Sequence, residues 1–125
     1  CYNANPASMS AALATLRERG RGAGGRRLAV LGDMLELGGY EAEAHRALGE
    51  QAARSGVDLL AAFGPRARAT AEAARAAGLP PDRVFHTEDV GALVAFVRGE
   101  LGSGDVVLVK GSRGMKLERL VEALR

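Results

Sequence analysis

Short apolar runs alternate along the sequence with amphipathic segments of about 10–15 residues, and this alternation limits the fold more than any other feature. The apolar runs cover residues 26–31, 57–63, 84–86 and 106–109. The segments with helical periodicity cover residues 6–19, 40–55, 65–77, 88–101 and 115–124. Parallel strands need a crossover connection, usually a helix, so this order predicts βαβ units. We therefore expect an α/β fold, a mostly parallel sheet with helices on both faces in three α/β/α layers.

Length and composition exclude several classes of protein. The 125 residues suit one domain, and 47% hydrophobic residues with 26% charged residues argue against a disordered or fibrous chain. No apolar run approaches the ~20 residues of a membrane span. A single cysteine, Cys1, excludes an internal disulfide framework and suits a reducing compartment. Because the chain starts at Cys1 without a methionine or a visible targeting signal, we expect a piece of a longer protein or a trimmed one.

The charge balance gives no support to nucleic-acid binding. The formal net charge is only +2, and two Tyr, three Phe and no Trp leave little to stack on bases. The basic residues are nevertheless informative, since 15 are Arg and only two, Lys110 and Lys116, are Lys. Both asparagines of the chain, Asn3 and Asn5, also lie close together. Lys and Arg are not interchangeable where a compact ammonium is needed, so Lys110 is a candidate functional residue.

Open α/β sheets bind ligands at the carboxyl ends of their strands, which directs attention to the segments that follow each apolar run. These segments cover residues 1–6, 32–39, 64–66, 86–87 and 110–114. Three of them carry unusual polar residues and are taken in turn.

Residues 2–6 (Tyr-Asn-Ala-Asn-Pro) place both asparagines immediately before a predicted helix. Asn5 suits an N-cap, because its side chain can accept a hydrogen bond from a helix N–H. Capping does not explain Asn3 or the neighbouring Tyr2. An amide can donate and accept at once, which suits the edge of a nucleotide or a peptide. Both interpretations stay open on the residues alone.

Residues 32–38 place two carboxylates, Asp33 and Glu36, after the first apolar run. One interpretation is that Asp33 caps the helix that follows, with Glu36 completing the capping arrangement. The functional alternative is a carboxylate at the sheet edge that meets an ammonium group.

Residues 110–114 follow the most hydrophobic run and contain Lys110, Ser112 and Arg113 between glycines. Glycine permits close approach of the backbone to a ligand, and Ser with Lys or Arg at a helix entry is typical of anion binding. A surface turn with solvated charges is the alternative. The retention of Lys110 in an Arg-rich chain favours a functional site.

Other motifs are unconvincing. Gly20, Gly22 and Gly25 match G-x-G-x-x-G but lie after a helix and before a strand, the reverse of a dinucleotide site. No Walker-type phosphate loop is present. His45 and His86 lack partners at metal-ligand spacing, and Cys1 lacks an evident base, so the residues predict no metal site and no catalytic residue.

Three blocks together resemble the C-terminal domain of the Mur ligase family, in its MurF branch. They are residues 2–9 (YNANPASM), residues 30–38 (VLGDMLELG) with His45 downstream, and residues 109–113 (VKGSR). They occur in the family's order and span most of the chain. The resemblance implies a Rossmann-like domain of a three-domain, cytoplasmic bacterial enzyme of peptidoglycan precursor synthesis. Its N-terminal domain would bind the UDP-sugar, and its central domain would carry the phosphate loop.

The implied reaction is ATP-dependent amide bond formation between UDP-N-acetylmuramoyl-tripeptide and D-Ala-D-Ala through an acyl phosphate. ATP and magnesium would be bound mainly by the central domain, so residues 1–125, as one domain, would be inactive alone. A monomer is expected.

The resemblance also implies roles for single residues. Tyr2, Asn3 and Asn5 would lie on the nucleotide side. The substrate side would hold Lys110, Ser112, Arg113 and Asp33. The roles of Glu36 and His45 stay open. The alternatives are a non-catalytic Rossmann-like binding module and a related ligase such as folylpolyglutamate synthetase.

Overall fold

The computed structural model describes residues 4–19, 25–112 and 117–124. Five helices and four strands alternate along these residues. The helices are α1 (Pro6–Glu18), α2 (Glu41–Arg54), α3 (Ala67–Ala76), α4 (Val90–Glu100) and α5 (Glu118–Ala123). The strands are β1 (Arg27–Gly32), β2 (Leu59–Phe63), β3 (Val84–Thr87) and β4 (Val106–Lys110). Short 3-10 helices at Gly38–Tyr40 and Pro81–Arg83 precede α2 and β3.

The four described strands form one parallel sheet in the order β3-β2-β1-β4. Alternate residues of β1 face opposite sides, as strand geometry requires. Ala29 and Leu31 join a core that α1, α2 and α3 cover, whereas Val30 joins a second core with Leu93 of α4 and Leu120 of α5. The prediction of a parallel three-layer α/β/α fold is confirmed.

Local sequence signals set several boundaries. α1 begins at Pro6 because Asn5 accepts a hydrogen bond from the Ser8 N–H at 2.9 Å, while the Asn5 N–H donates to Ser8 Oγ at 3.1 Å. This reciprocal arrangement is a capping box, so the prediction that Asn5 is an N-cap is confirmed. α4 begins at Val90 because the Asp89 carboxylate accepts from the Ala92 N–H at 2.8 Å.

Other boundaries depend on contacts distant in sequence. β2 begins at Leu59 rather than at residue 57, and the Asp58 carboxylate instead accepts the Arg27 N–H at 2.8 Å at the start of β1.

α5 begins at Glu118, and residues 115–116 of its predicted range lie outside the described residues. No helix within the described ranges has the length and apolar character needed to cross a membrane.

α2 and α3 pack closely against each other on one face of the sheet. A Cβ at Gly49 of α2 would collide with the backbone carbonyl of Thr70 in α3. Glycine is therefore required here by close approach of the two backbones rather than by its dihedral angles. This contact fixes α2 beside the start of α3, where the candidate site lies.

Candidate functional site at the strand ends

Three loops meet at the carboxyl edge of the sheet, following β1, β2 and β4. β1 lies between β2 and β4, with Leu31 opposite Lys110 and Gly32 opposite Phe63. The segment after β1, residues 33–35, is therefore the centre of this edge. We call it the β1 loop.

Asp33 opens the β1 loop, and its side chain is completely buried. Its Oδ1 accepts the Ala67 N–H at 2.8 Å, and its Oδ2 accepts the Arg66 N–H at 3.3 Å and Arg66 Nη1 at 3.2 Å. A carboxylate at these N–H groups satisfies the open donors at the N-terminus of α3. Asp33 thus joins the end of β1 to the helix that follows β2.

The prediction that Asp33 caps a helix is confirmed, but the helix that it caps is α3 and not α2. α2, which follows Asp33 in sequence, has Tyr40 at its N-cap and no side-chain capping bond. Glu36 instead adopts a left-handed conformation with φ of 63° and is exposed. A short carboxylate can reach the N–H groups of a neighbouring loop, and here sheet order brings α3 within reach.

Arg66 connects Asp33 to α2. Its Nε donates to Glu41 Oε1 at 2.8 Å while its Nη1 contacts Asp33. The hydrogen bonds to Glu41 and then to Asp33 raise the pKa of the Arg66 guanidinium above its ordinary value. The guanidinium is 39% exposed at the sheet edge, and its fork matches two carboxylates at once.

Ser112 joins the β1 loop to the end of β4. Its Oγ accepts the Leu35 N–H at 3.0 Å, and its own N–H donates to the Asp33 carbonyl at 3.0 Å. Only 2% of the residue is exposed. The preceding Gly111 leaves no room for a side chain, because a Cβ there would lie 2.7 Å from Leu117 Cδ1 and 3.1 Å from Gly32 Cα.

His45 holds the middle of the β1 loop. Its Nε2 accepts the Met34 N–H at 3.0 Å, and its Nδ1 donates to the Glu41 carbonyl at 2.7 Å. Since Nε2 accepts a backbone N–H and Nδ1 contacts a carbonyl oxygen, these two hydrogen bonds place the ring proton on Nδ1. The prediction that His45 belongs to the helix over residues 40–55 is confirmed, but its contact with Met34 was missed.

A cavity of about 370 Å³ lies beside the end of β4 and is lined by Lys110, Ser112 and Glu118. Lys110 is half-buried at this edge. A second cavity, of about 310 Å³, lies between α1 and residues 106–108, toward the start of the same strand. Of these two cavities in the described part of the chain, the first lies at the strand ends and is lined by polar side chains that the sequence singles out.

Comparison with known proteins places these features in a family. The protein-family model described as "Mur ligase, glutamate ligase domain" matches residues 1–113 of this chain. The chain belongs to the Mur ligase family.

Within the Mur ligase family, the similar proteins are of the MurF type. UDP-N-acetylmuramoyl-tripeptide--D-alanyl-D-alanine ligase of Bacillus subtilis is 39% identical over 98% of this chain, and that of Treponema pallidum is 42% identical over 100%. The chain spans about a quarter (26%) of the length of each relative. The crystal structure of MurF ligase from Thermotoga maritima in complex with ADP superposes with a TM-score of 0.76 at 27% identity, covering 98% of this chain and 26% of that one. The resemblance to a MurF C-terminal domain is confirmed.

The Mur ligase domain brings some of the predicted site residues together. Asp33 and Ser112 share a backbone hydrogen bond, and Lys110 lies two residues before Ser112. Tyr2, Asn3 and Arg113 lie outside the described residues. Within the described part of the chain, no three His, Cys, Asp or Glu side chains cluster as metal ligands would.

Proposed function

We propose that this chain is the C-terminal domain of an ATP-dependent ligase that joins D-Ala-D-Ala to UDP-N-acetylmuramoyl-tripeptide in peptidoglycan precursor synthesis. The relatives that bear this name align with nearly the whole chain. The observation that carries the proposal is the position of Lys110 at the end of β4, where it lines a cavity together with Ser112, which is itself bonded to the β1 loop. Ligands of open α/β sheets bind at this edge.

Lys110 is the residue that we propose for the carboxylate of D-Ala-D-Ala, together with Arg113. A cationic side chain can form a charge-assisted hydrogen bond to a carboxylate. Ser112 accepts the Leu35 N–H with its oxygen, which leaves its hydroxyl proton able to donate to the dipeptide. With its carboxylate anchored, the dipeptide would present its amine to the activated acyl group, and a fixed approach geometry lowers the barrier.

Asp33 acts on this site indirectly in our proposal. Its oxygens already accept three N–H donors from Arg66 and Ala67, and the side chain is completely buried. A direct contact with the dipeptide amine would break these bonds. We propose that Asp33 orients the β1 loop while the substrate contacts come from Lys110, Ser112 and Arg113.

The nucleotide side of the proposal concerns Tyr2, Asn3 and Asn5. Asn5 uses its side-chain oxygen for the cap of α1, and its exposed amide nitrogen remains for a nucleotide. The ADP complex of the Thermotoga maritima relative supports nucleotide binding in this family. ATP and magnesium would be held mainly by a central domain, and the UDP-sugar by an N-terminal domain, of a monomeric cytoplasmic enzyme.

The test is ligation by the whole enzyme that contains this chain. The enzyme is incubated with ATP, magnesium, UDP-N-acetylmuramoyl-tripeptide and one amine at a time: D-Ala-D-Ala, L-Ala-L-Ala or L-Glu. Only with D-Ala-D-Ala do we expect release of ADP and phosphate and a product heavier than the UDP-tripeptide by the dipeptide less one water. Product with L-Glu would indicate a different ligase, and nucleotide binding without any product would indicate a binding module; either result would contradict the proposal.

A further inference from the structure

His45 is a buried titratable side chain that the proposed reaction does not use. The side chain is completely buried, and each ring nitrogen forms a hydrogen bond with a backbone group. Nδ1 donates to Glu41 one turn earlier in the same helix, a bond that only affects α2. Nε2 accepts the Met34 N–H, which belongs to the β1 loop. The two nitrogens therefore serve different parts of the molecule.

The β1 loop has little freedom, because each of its three residues is held by a different element. Asp33 bonds to the start of α3, Met34 to His45 of α2, and Leu35 to Ser112 after β4. The Met34 bond lies between the other two. Displacement of Met34 would therefore shift the Leu35 N–H and the Asp33 carbonyl, which are the two groups that hold Ser112.

We propose that His45 is a positioning residue for the site formed by the β1 loop, Lys110 and Ser112, which we call the strand-edge site: its Nε2 fixes the β1 loop, and through that loop it sets the position of Ser112. This inference rests on the proposed function, since it assumes that the dipeptide binds beside these residues. Displacements of about 1 Å in a group that positions a substrate can cost on the order of 100-fold in rate. A partial shift of Ser112 should therefore weaken dipeptide binding measurably.

Two substitutions separate the two ring nitrogens. In His45→Asn the short amide lies near the position of Nδ1, so it keeps the donor to Glu41 and loses the acceptor for Met34. In His45→Gln the longer amide reaches the position of Nε2 and keeps that acceptor. In the whole enzyme we expect His45→Asn to raise the KM for D-Ala-D-Ala by about tenfold. His45→Gln should bring it back to within about threefold of the original enzyme, while the KM for the UDP-tripeptide stays unchanged in both.

Thr70→Val is the matched control for lost packing and hydrogen bonding. Thr70 is also completely buried, and its Oγ1 donates to the His45 carbonyl at 3.0 Å rather than to a group of the β1 loop. We expect this variant to melt at a lower temperature with an unchanged KM for D-Ala-D-Ala. An equal rise of this KM in Thr70→Val and His45→Asn would overturn the proposal, as would an unchanged KM in a folded His45→Asn enzyme.

The tautomer provides a second test that needs no variant and no turnover. In a nitrogen-15 NMR spectrum of the original enzyme, the His45 ring should carry its proton on Nδ1 and leave Nε2 unprotonated. A proton on Nε2 would remove the acceptor for Met34 and overturn the proposal even if both variants fail to fold. An original enzyme that forms no product with D-Ala-D-Ala would instead refute the proposed function, so the two failures are distinguishable.

Discussion

The carboxylate of Asp33 accepts a hydrogen bond from the backbone N–H of Ala67 at 2.8 Å, so the residue that follows β1 caps the helix that follows β2. This bond joins the beginnings of two consecutive crossover connections, which contain α2 and α3. The same residue offers its carbonyl to Ser112 after β4. Asp33 therefore connects three adjacent strand ends through one buried residue.

Asp33→Asn should lower the free energy of unfolding of the 125-residue chain by about 2 kcal/mol. The amide keeps one acceptor oxygen, but its NH2 group would face the N–H donors of Arg66, so these hydrogen bonds to the completely buried side chain would be lost. Urea unfolding measures the change. Glu50→Gln is the control, because the ion pair of Glu50 with Arg54 is exposed and should be worth less than about 0.5 kcal/mol. Equal effects of the two substitutions would contradict the role of Asp33.

Gly111→Ala should separate the end of β4 from β1. The new Cβ would lie 2.7 Å from Leu117 Cδ1 and 3.1 Å from Gly32 Cα, and the second neighbour is backbone that cannot rotate away. We expect a loss of about 1–3 kcal/mol in urea unfolding, as for other overpacked sites. Gly99→Ala in α4 is the control, since nothing lies within 4 Å of its Cβ. Helix propensity should make that variant more stable by about 0.5–1 kcal/mol.

Glu36→Gly should stabilise the chain by about 1 kcal/mol, because Glu36 has a φ of 63° that glycine adopts without steric cost. The reverse substitution two residues later, Gly38→Ala, should destabilise by a similar amount. Gly38 has a φ of 59°, and its Cβ would meet nothing within 4 Å, so only backbone strain is introduced. Thermal unfolding measures both; a less stable Glu36→Gly variant would show that the carboxylate matters more than the strain.

Asp105 should make the chain sensitive to acid. Hydrogen bonds from the N–H groups of Gly102 and then Arg26 lower the pKa of this carboxyl in the folded chain. The unfolded chain therefore takes up the proton first. The stability from Asp105 is complete above its ordinary pKa of about 3.9 and is lost as the pH falls through the lower folded value.

Asp105→Asn removes this titration. We expect its free energy of unfolding, measured in urea from pH 6 down to pH 3, to fall less steeply than that of the original chain. Parallel curves for the two proteins would contradict the assignment. The Arg26 N–H donates to Asp105 Oδ1 at 2.7 Å. This bond connects the residue before β4 to the residue before β1.

The sheet was predictable because its signal is local. Residues 84–86 and 106–109 were predicted as strands, and the structure has Val84–Thr87 and Val106–Lys110. Unbroken apolar runs are typical of strands covered on both faces. The helix N-cap at Asn5 was equally predictable, since the capping partner is Ser8, three residues away.

The contacts that assemble the strand-edge site were not predictable in the same way. Asp33 bonds to Ala67 and Leu35 bonds to Ser112, and these pairs meet only once the strand order is known. Periodicity places a residue on a face of an element but does not say which neighbouring loop it meets. In the sequence, the only sign of a role for His45 is a histidine on the inner face of a predicted helix. That sign does not identify Met34 as its hydrogen-bond partner.

The KM of the whole enzyme for D-Ala-D-Ala in Lys110→Met tests the central claim most directly. We expect a rise of about 10–100-fold, the usual cost of removing a hydrogen bond to a charged group. Lys110→Arg should lose less, and the KM for the UDP-tripeptide should stay within about twofold of the original, because in our proposal an N-terminal domain binds the UDP-sugar. An unchanged KM for D-Ala-D-Ala in a folded Lys110→Met enzyme would contradict the account.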